Sequence, residues 1–143
     1  MLEIARSNDL AACQALRRAV FIEEQGVSEA HEVDGRDGVA VHLLARWAGR
    51  PVGTARLLVE GRAGKIGRVC VLPVARGKGI GAALIRAAVA ELSAMEGVDE
   101  ARLGAQIHAL EFYVRLGFVA EGPEFMDAGI PHRMMARPLH MAK

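Results

Sequence analysis

The sequence has few of the features that place a chain in a specialised class. Only two cysteines, Cys13 and Cys70, occur among 143 residues, and they form neither a metal-binding spacing nor a disulfide framework. No stretch without Asp, Glu, Lys or Arg exceeds eight residues, whereas a membrane-spanning helix needs roughly 20 apolar residues. Residues 1–6 lack the basic and apolar regions of a signal peptide. We therefore expect a cytoplasmic chain with reduced thiols.

Aromatic residues and net charge are also low. Aromatics make up 4% of the chain, and Trp47 and the four phenylalanines are too scattered for a base-stacking platform. The net charge is +1, so no overall basic field exists, and we expect neither a nucleic-acid nor a membrane partner. The 52% hydrophobic and 24% charged content is typical of a globular protein. The length fits one domain over residues 1–143.

The charges are distributed unevenly, although their sum is close to zero. Residues 61–90 contain six basic residues and no acid: Arg62, Lys65, Arg68, Arg76, Lys78 and Arg86. Residues 23–37, which we call the acidic segment, contain one arginine and six acids: Glu23, Glu24, Glu29, Glu32, Asp34 and Asp37. Such asymmetry is typical of binding sites. It predicts an anionic ligand at the basic stretch and a cationic group near the acidic segment.

Residue patterns predict a mixed α/β fold with a largely antiparallel sheet flanked by helices. Alternating and β-branched runs predict strands at 2–5, 39–47, 52–59, 65–72, 101–105, 118–124 and 132–137. Helical spacing predicts one helix after the capping residues 7–9 and two more at 79–95 and 108–116. The acidic segment predicts a loop with one helical turn. Short turns between the second, third and fourth strands predict an antiparallel meander.

A glycine-rich loop at residues 76–81, Arg-Gly-Lys-Gly-Ile-Gly, lies between the fourth strand and the long helix. Glycines let backbone N–H groups approach a ligand, and a helix N-terminus favours anions, so the loop suits a pyrophosphate. The spacing Gly77-x-Gly79-x-x-Ala82 also satisfies a dinucleotide fingerprint. However, residues 73–76 separate it from the strand, and a meander precedes it where that fingerprint requires a parallel βαβ unit. The P-loop motif is absent from the sequence.

Two motifs resemble those of the GNAT acetyltransferases. Arg76-x-x-Gly79-x-Gly81, after the strand residues Val69-Cys70-Val71, resembles the family's pyrophosphate loop. The segment 106–118, Gln-x-x-Ala-x-x-Phe-Tyr-x-x-x-Gly-Phe, resembles its second cofactor motif. Residues 20–26 and 125–132 resemble the ElaA/YjcF-like branch. The strand order agrees as well, so the resemblance covers nearly the whole chain.

The resemblance implies transfer of an acetyl group from acetyl-CoA to a primary amine, by direct attack in a ternary complex and without a metal. It places the cofactor in a split between two strands and makes Tyr113 the general acid. Gln106 stands where the family usually has Asn. The residues expected at the cofactor are Val69, Cys70, Val71, Arg76, Gly77, Lys78, Gly79, Ile80, Gly81, Gln106 and Tyr113. A non-catalytic acyl-CoA-binding module is the alternative, and a nicotinamide-dinucleotide enzyme is a third reading.

The general base is left open among Glu23, Glu24, His42 and His132. We favour Glu24 because it belongs to the acidic segment, which we expect to line the acceptor entrance. Acids there would attract a cationic amine on a small molecule or peptide. The same residues lack calcium-loop spacing, and Cys70 lies in an apolar strand without a base, so we expect neither a metal site nor a thiol nucleophile. A homodimer is compatible with the sequence.

Overall fold

The computed structural model describes residues 1–139; residues 140–143 of the expected domain lie outside the described part. The described residues form seven strands and four helices. The strands are Leu2–Arg6 (β1), Val41–Trp47 (β2), Arg50–Glu60 (β3), Ala63–Val71 (β4), Glu100–Gln106 (β5), Val119–Asp127 (β6) and Ile130–Pro138 (β7). The helices are Leu10–Arg17 (α1), Glu29–Glu32 (α2), Ile80–Ser93 (α3) and Leu110–Val114 (α4). A π-helical segment, Arg18–Glu24, continues α1.

The strands form one sheet in the order β1-β2-β3-β4-β5-β7-β6. Every neighbouring pair is antiparallel except β4 and β5, which run parallel. The expected mixed, largely antiparallel fold is therefore confirmed. The turn between β2 and β3 is tight because Ala48 and Gly49 both adopt positive φ, 51° and 82°, as a two-residue hairpin requires.

Helices cover both faces of the sheet. Leu43 and Ala45 of β2 join a large buried cluster with α3, in which Leu84 and Leu92 are fully buried. Leu44, which points to the opposite face, joins a smaller cluster with α1. The alternation along β2 thus divides the core into an α3 side and an α1 side.

The residue patterns predicted the helices and strands, but several of their boundaries differ in the structure. The Asp9 carboxylate accepts a hydrogen bond from the Ala12 N–H at 3.1 Å, which caps α1 as the sequence predicts. Helix α3 ends at Ser93, two residues before the predicted end. The last predicted helix, 108–116, is a 3₁₀ turn, Ile107–Ala109, followed by the short α4. Among residues 1–139, no helix is long and apolar enough to cross a membrane.

The parallel pair β4 and β5 separates after a short contact. Only Ala63–Lys65 pair with Glu100–Arg102, and the two strands diverge beyond these residues. Strand β4 also contains a bulge, because Cys70 pairs with Thr54 while Gly67 pairs with Arg56. One β3 residue therefore faces two β4 residues. The divergence opens the sheet at the carboxyl ends of β4 and β5, next to the N-terminus of α3.

Candidate functional site

A cavity of about 440 Å³ occupies the opening between β4 and β5. Residues from both strands, from β6, β7 and α4, and from the acidic segment line it, among them Arg68, Val69, Gln106, Tyr113, Phe125 and His132. Of the predicted cofactor residues, Val69, Gln106 and Tyr113 lie in this lining. The bulge in β4 places Arg68 at a φ of 53°. Bulges redirect backbone and side-chain groups, so the edge of the cavity is shaped by the local break in strand pairing.

The other two predicted residues of β4 lie differently. The Cys70 side chain is buried in the α1-side cluster, and burial raises the pKa of its thiol to about 12. It is therefore protonated at neutral pH and is no nucleophile. The carbonyl of Val71 accepts a hydrogen bond from Arg76 Nε at 3.0 Å.

The glycine-rich loop has the geometry expected of an anion site. Gly77 and Gly79 have φ of 81° and 76°, and no atom lies within 4 Å of a Cβ built on either residue. Gly79 is the N-cap of α3, where no side chain caps the helix and no acid lies in the first turn. The first N–H groups of a 14-residue helix are thus free to bind phosphate oxygens. Ile80 is buried, so it offers its main chain alone.

The two basic side chains of the loop already have protein partners. Both terminal nitrogens of Arg76 donate to the Glu24 carboxylate at 2.6 Å. The Lys78 ammonium lies 5.3 Å from the centre of the Trp47 ring, within range of a cation–π contact. Sequence reasoning did not anticipate these contacts. A phosphate group that engages Arg76 must compete with Glu24.

Tyr113 lies at the α4 end of the cavity. Its ring meets Phe112 and Phe118 edge to face, with centroids 5.0 Å and 6.1 Å away. Phe112 in turn faces Gly81 of the glycine-rich loop, 3.7 Å from a Cβ built there. Burial raises the pKa of the Tyr113 hydroxyl, so it keeps its proton at neutral pH. Within residues 1–139 this hydroxyl makes no hydrogen bond to protein and stays available to a ligand.

Most of the acidic segment is neutralised by arginines. Arg17, which is 1% exposed, donates to Glu32 at 3.0 Å and to both oxygens of Asp37 at 3.0 Å and 2.6 Å. Arg56 donates to both oxygens of Asp34 at 2.8 Å and 2.7 Å. Arg68 lies 3.4 Å from both Glu32 and Asp34. We call these six side chains the arginine–carboxylate network.

The network sets the protonation of its acids. Hydrogen bonds from Arg56 hold the pKa of Asp34 well below its usual range. Burial would raise the pKa of Asp37, but hydrogen bonds from Arg17, Gln14 and Arg56 outweigh it and lower that pKa too. The acidic segment therefore offers little free negative charge. The charge pattern alone therefore no longer supports the expectation that these acids attract a cationic amine, because arginines distant in sequence pair with them.

These features find their counterpart in known proteins. A sequence profile described as the acetyltransferase (GNAT) domain matches residues 9–139. The chain belongs to the GNAT family. YjcF of Bacillus subtilis, described as an uncharacterized N-acetyltransferase, is 34% identical over 123 residues, which are 85% of this chain and 87% of YjcF.

Two solved structures share both the GNAT fold and a related sequence. Escherichia coli ElaA superposes with a TM-score of 0.85 at 31% identity, covering 96% of this chain and 99% of ElaA. An acyl-CoA N-acyltransferase from Pseudomonas aeruginosa superposes with a TM-score of 0.86 at 32% identity, covering 96% of this chain and 99% of that one. The expected placement in the ElaA/YjcF-like branch is confirmed.

The predicted base Glu24 lies away from the GNAT cavity lining. The hydrogen bonds from Arg76 lower the pKa of its carboxyl, which makes the carboxylate a weaker proton acceptor. His42 is buried, with Nε2 lying 3.0 Å from the Asp37 carbonyl oxygen. Exposed Glu23 lies 4.0 Å from Arg18. The contacts of these three residues favour none of them as the base.

Gln106 takes part in a polar cluster at the mouth of the cavity. Its Oε1 lies 2.7 Å from His108 Nε2, and its Nε2 donates to Gln25 Oε1 at 3.5 Å. Gln25, at the end of the π-helical segment, and Phe125 of β6 line the cavity, and sequence reasoning missed both. Both belong to the segments 20–26 and 125–132, which resemble the ElaA/YjcF-like branch, but that resemblance does not predict that packing brings the two segments to one cavity.

Proposed function

We propose that this GNAT protein transfers an acetyl group from acetyl-CoA to a primary amine of a small molecule or peptide, by direct attack in a ternary complex. The observation that carries the proposal is the cavity between the diverging strands β4 and β5. It has an anion-binding loop beside it and a free tyrosine hydroxyl in its wall. The acyl-CoA N-acyltransferase of Pseudomonas aeruginosa, which shares this fold at 32% identity, supports the same class of reaction.

The cofactor would contact main-chain groups that no side chain covers. The free N–H groups at the start of α3, with Gly77 and Gly79 before them, suit the pyrophosphate. The main chain around Val69 suits the pantetheine arm, because β4 pairs with β5 only at Ala63–Lys65 and its edge beyond these residues faces the cavity. Acetyl-CoA would supply an activated thioester carbon, and the protein's task is to hold that carbon against the amine.

Tyr113 would protonate the leaving group. The amine nitrogen forms a bond to the thioester carbon, the carbon–sulfur bond breaks, and the sulfur receives the proton of the Tyr113 hydroxyl. The raised pKa of Tyr113 keeps this proton in place until it is needed. The rings of Phe112 and Phe118 pack edge to face against the Tyr113 ring.

The direct test is an acceptor panel of amino acids, polyamines and peptides with free N-termini. We expect release of coenzyme A and formation of an acetylated product with at least one amine. Tight binding of acetyl-CoA without turnover on any amine would favour the alternative, a non-catalytic acyl-CoA-binding module. Absence of acetyl-CoA binding by calorimetry would reject both.

Replacement of Tyr113 tests its role as the acid. Tyr113→Phe removes the proton donor and keeps the ring, so we expect turnover to fall by roughly 10²–10⁴ with unchanged acetyl-CoA affinity. Phe112→Leu is the matched control, since it disturbs the same aromatic packing and leaves the hydroxyl in place. Wild-type turnover in Tyr113→Phe would remove this residue from the mechanism.

A further inference from the structure

His132 occupies a position on β7 from which its ring reaches the cavity. It pairs with Gln106 across the β5–β7 ladder, so the two side chains lie on the same face of the sheet. The ring is 8% exposed and belongs to the cavity lining. Its Cδ2 lies 4.0 Å from a Cβ built on Gly104. A Cβ there would also meet Phe125 Cζ at 3.4 Å, so the absence of a side chain at Gly104 leaves room for the Phe125 ring beside the imidazole.

The contacts of His132 define which ring nitrogen carries hydrogen. Nδ1 lies 2.7 Å from the carbonyl oxygen of Ile130, and a carbonyl oxygen can only accept a hydrogen bond. Nδ1 therefore carries the proton in the neutral ring, and Nε2 keeps its lone pair. Among residues 1–139, Nε2 has no hydrogen-bond partner. The neutral ring therefore presents an unoccupied proton acceptor.

The orientation of this ring is fixed by a neighbour. Phe125 stacks on His132 with centroids 5.8 Å apart and an angle of 27° between the planes. Together with the Ile130 contact, this stacking holds the imidazole from two sides. A base that accepts a proton during catalysis benefits from such restriction, because no conformational search precedes the transfer.

The other histidines of the described chain lack this combination. His42 and His108 place Nε2 against an oxygen of Asp37 and of Gln106, at 3.0 Å and 2.7 Å. The Nδ1 of His42 has no partner among the described residues, but it is buried and His42 does not line the cavity. His31 also lines the cavity, but its ring is exposed on the short helix α2, with Nδ1 3.2 Å from Ser28 Oγ. His132 alone among these four is buried, oriented from two sides and free at Nε2.

We infer that His132 Nε2 is the general base of the acetyl transfer, an assignment that rests on the proposed function. His132 removes one proton from the acceptor nitrogen, while Tyr113 gives one proton to the sulfur of coenzyme A. The nitrogen loses a hydrogen as its bond to the carbonyl carbon forms, and the thiolate gains one, so protons balance over the reaction. Return of a proton from the imidazolium to the tyrosine, through solvent, restores both groups.

The test uses His132→Asn and His132→Ala in the full chain. Asparagine keeps an N–H near the Ile130 carbonyl and has no basic nitrogen, so the fold is retained and the base is lost. With an amine that the wild type acetylates, we expect kcat to fall by roughly 10²–10⁴. Acetyl-CoA affinity by calorimetry and the melting temperature stay unchanged. Added imidazole restores part of the activity of His132→Ala, because it can fill the space left by the ring.

His31→Ala, at the second cavity histidine, is the matched comparison, in which we expect a smaller loss and no response to imidazole. Wild-type kcat in His132→Asn overturns the assignment and leaves the proposed function standing. Imidazole rescue of His31→Ala without rescue of His132→Ala also overturns it. If the wild type acetylates no amine, the proposed function fails and the assignment falls with it.

Discussion

The two faces of the central sheet are held to their helices by different forces. On the α3 face, fully buried Leu84 and Leu92 belong to a large apolar cluster. On the α1 face the apolar cluster is small, and the arginine–carboxylate network lies beside it. Val33 and Val39, near the network, are 58% and 81% exposed. Ion pairs, and not apolar burial, therefore anchor residues 31–37, which form part of the cavity wall.

This difference has a consequence for function. Apolar contacts favour compaction without fixing direction, whereas paired arginine–carboxylate forks hold both groups in one geometry. The α3 face thus supports the glycine-rich loop through a rigid core. The α1 face positions residues 31–37 in the cavity wall through charge pairs whose removal leaves unpaired buried groups.

Breaking the network at its centre should produce the largest effect. Arg17→Met leaves Glu32 and Asp37 without their main partner, and we expect a loss of about 3–5 kcal/mol in the free energy of unfolding. Leu84→Ala, on the apolar face, should cost about 2–5 kcal/mol. Urea unfolding measures both.

The KM for the acceptor should also differ between Arg17→Met and Leu84→Ala. Arg17→Met should also impair use of the acceptor, because residues 31–37 lose their anchor, whereas Leu84→Ala retains the acceptor KM. A loss below about 1 kcal/mol in Arg17→Met, the value of a surface ion pair, would show that apolar contacts hold this face as well.

Acid should weaken the α1 face selectively. The pKa values of Asp34 and Asp37 are lowered in the folded protein, so their contribution is complete above the unfolded value, about 3.9. It is lost as pH falls through that value towards the folded pKa. We expect the urea midpoint to stay nearly constant from about pH 6 to about pH 5 and to drop between about pH 5 and about pH 3. This drop should be smaller in Arg17→Met than in the wild type, and in Leu84→Ala it should equal that of the wild type. Equal drops in all three proteins would contradict a role of the network in acid sensitivity.

The parts of this molecule that the sequence predicts are those with local causes. The glycine-rich loop and the Asp9 cap depend on residues within a few positions of one another, and both appear as expected. Arg17 and Asp37 are 20 positions apart, and only the tertiary fold brings them within 2.6 Å of each other. The bulge at Arg68 depends on pairing between two strands. No residue spacing in the sequence predicts the Arg17–Asp37 contact or the bulge.

The charge pattern illustrates the same limit. Uneven charges suggested a basic region and an acidic region acting on separate ligands. In the fold, Arg68 and Arg76 of the basic stretch pair with Asp34 and Glu24 of the acidic segment. These pairs link the two regions, while Arg17 and Arg56, which lie outside the basic stretch, neutralise most of the remaining charge of the network. The N–H groups at the start of α3 have no side-chain cap and remain available to an anion.

The smallest expected effect concerns Arg76–Glu24, the more exposed of the pairs that link the two regions. Glu24→Gln removes the negative partner of Arg76 while keeping the size of the side chain, which frees the guanidinium for the pyrophosphate. Both side chains are about two-fifths exposed, 39% for Glu24 and 42% for Arg76, and such pairs contribute about 0.2–1 kcal/mol. Coenzyme A should therefore bind more tightly, by up to about fivefold, which titration calorimetry resolves.

The matched control is Glu23→Gln, because Glu23 is the preceding residue and makes only a 4.0 Å contact with Arg18. Its affinity for coenzyme A should equal that of the wild type. The same variants also test whether Glu24 is the general base. If Glu24 were the base, Glu24→Gln would lose turnover by roughly 10²–10⁴. If it only restrains Arg76, kcat stays near the wild-type value while coenzyme A affinity rises, and proton removal is left to a group inside the cavity.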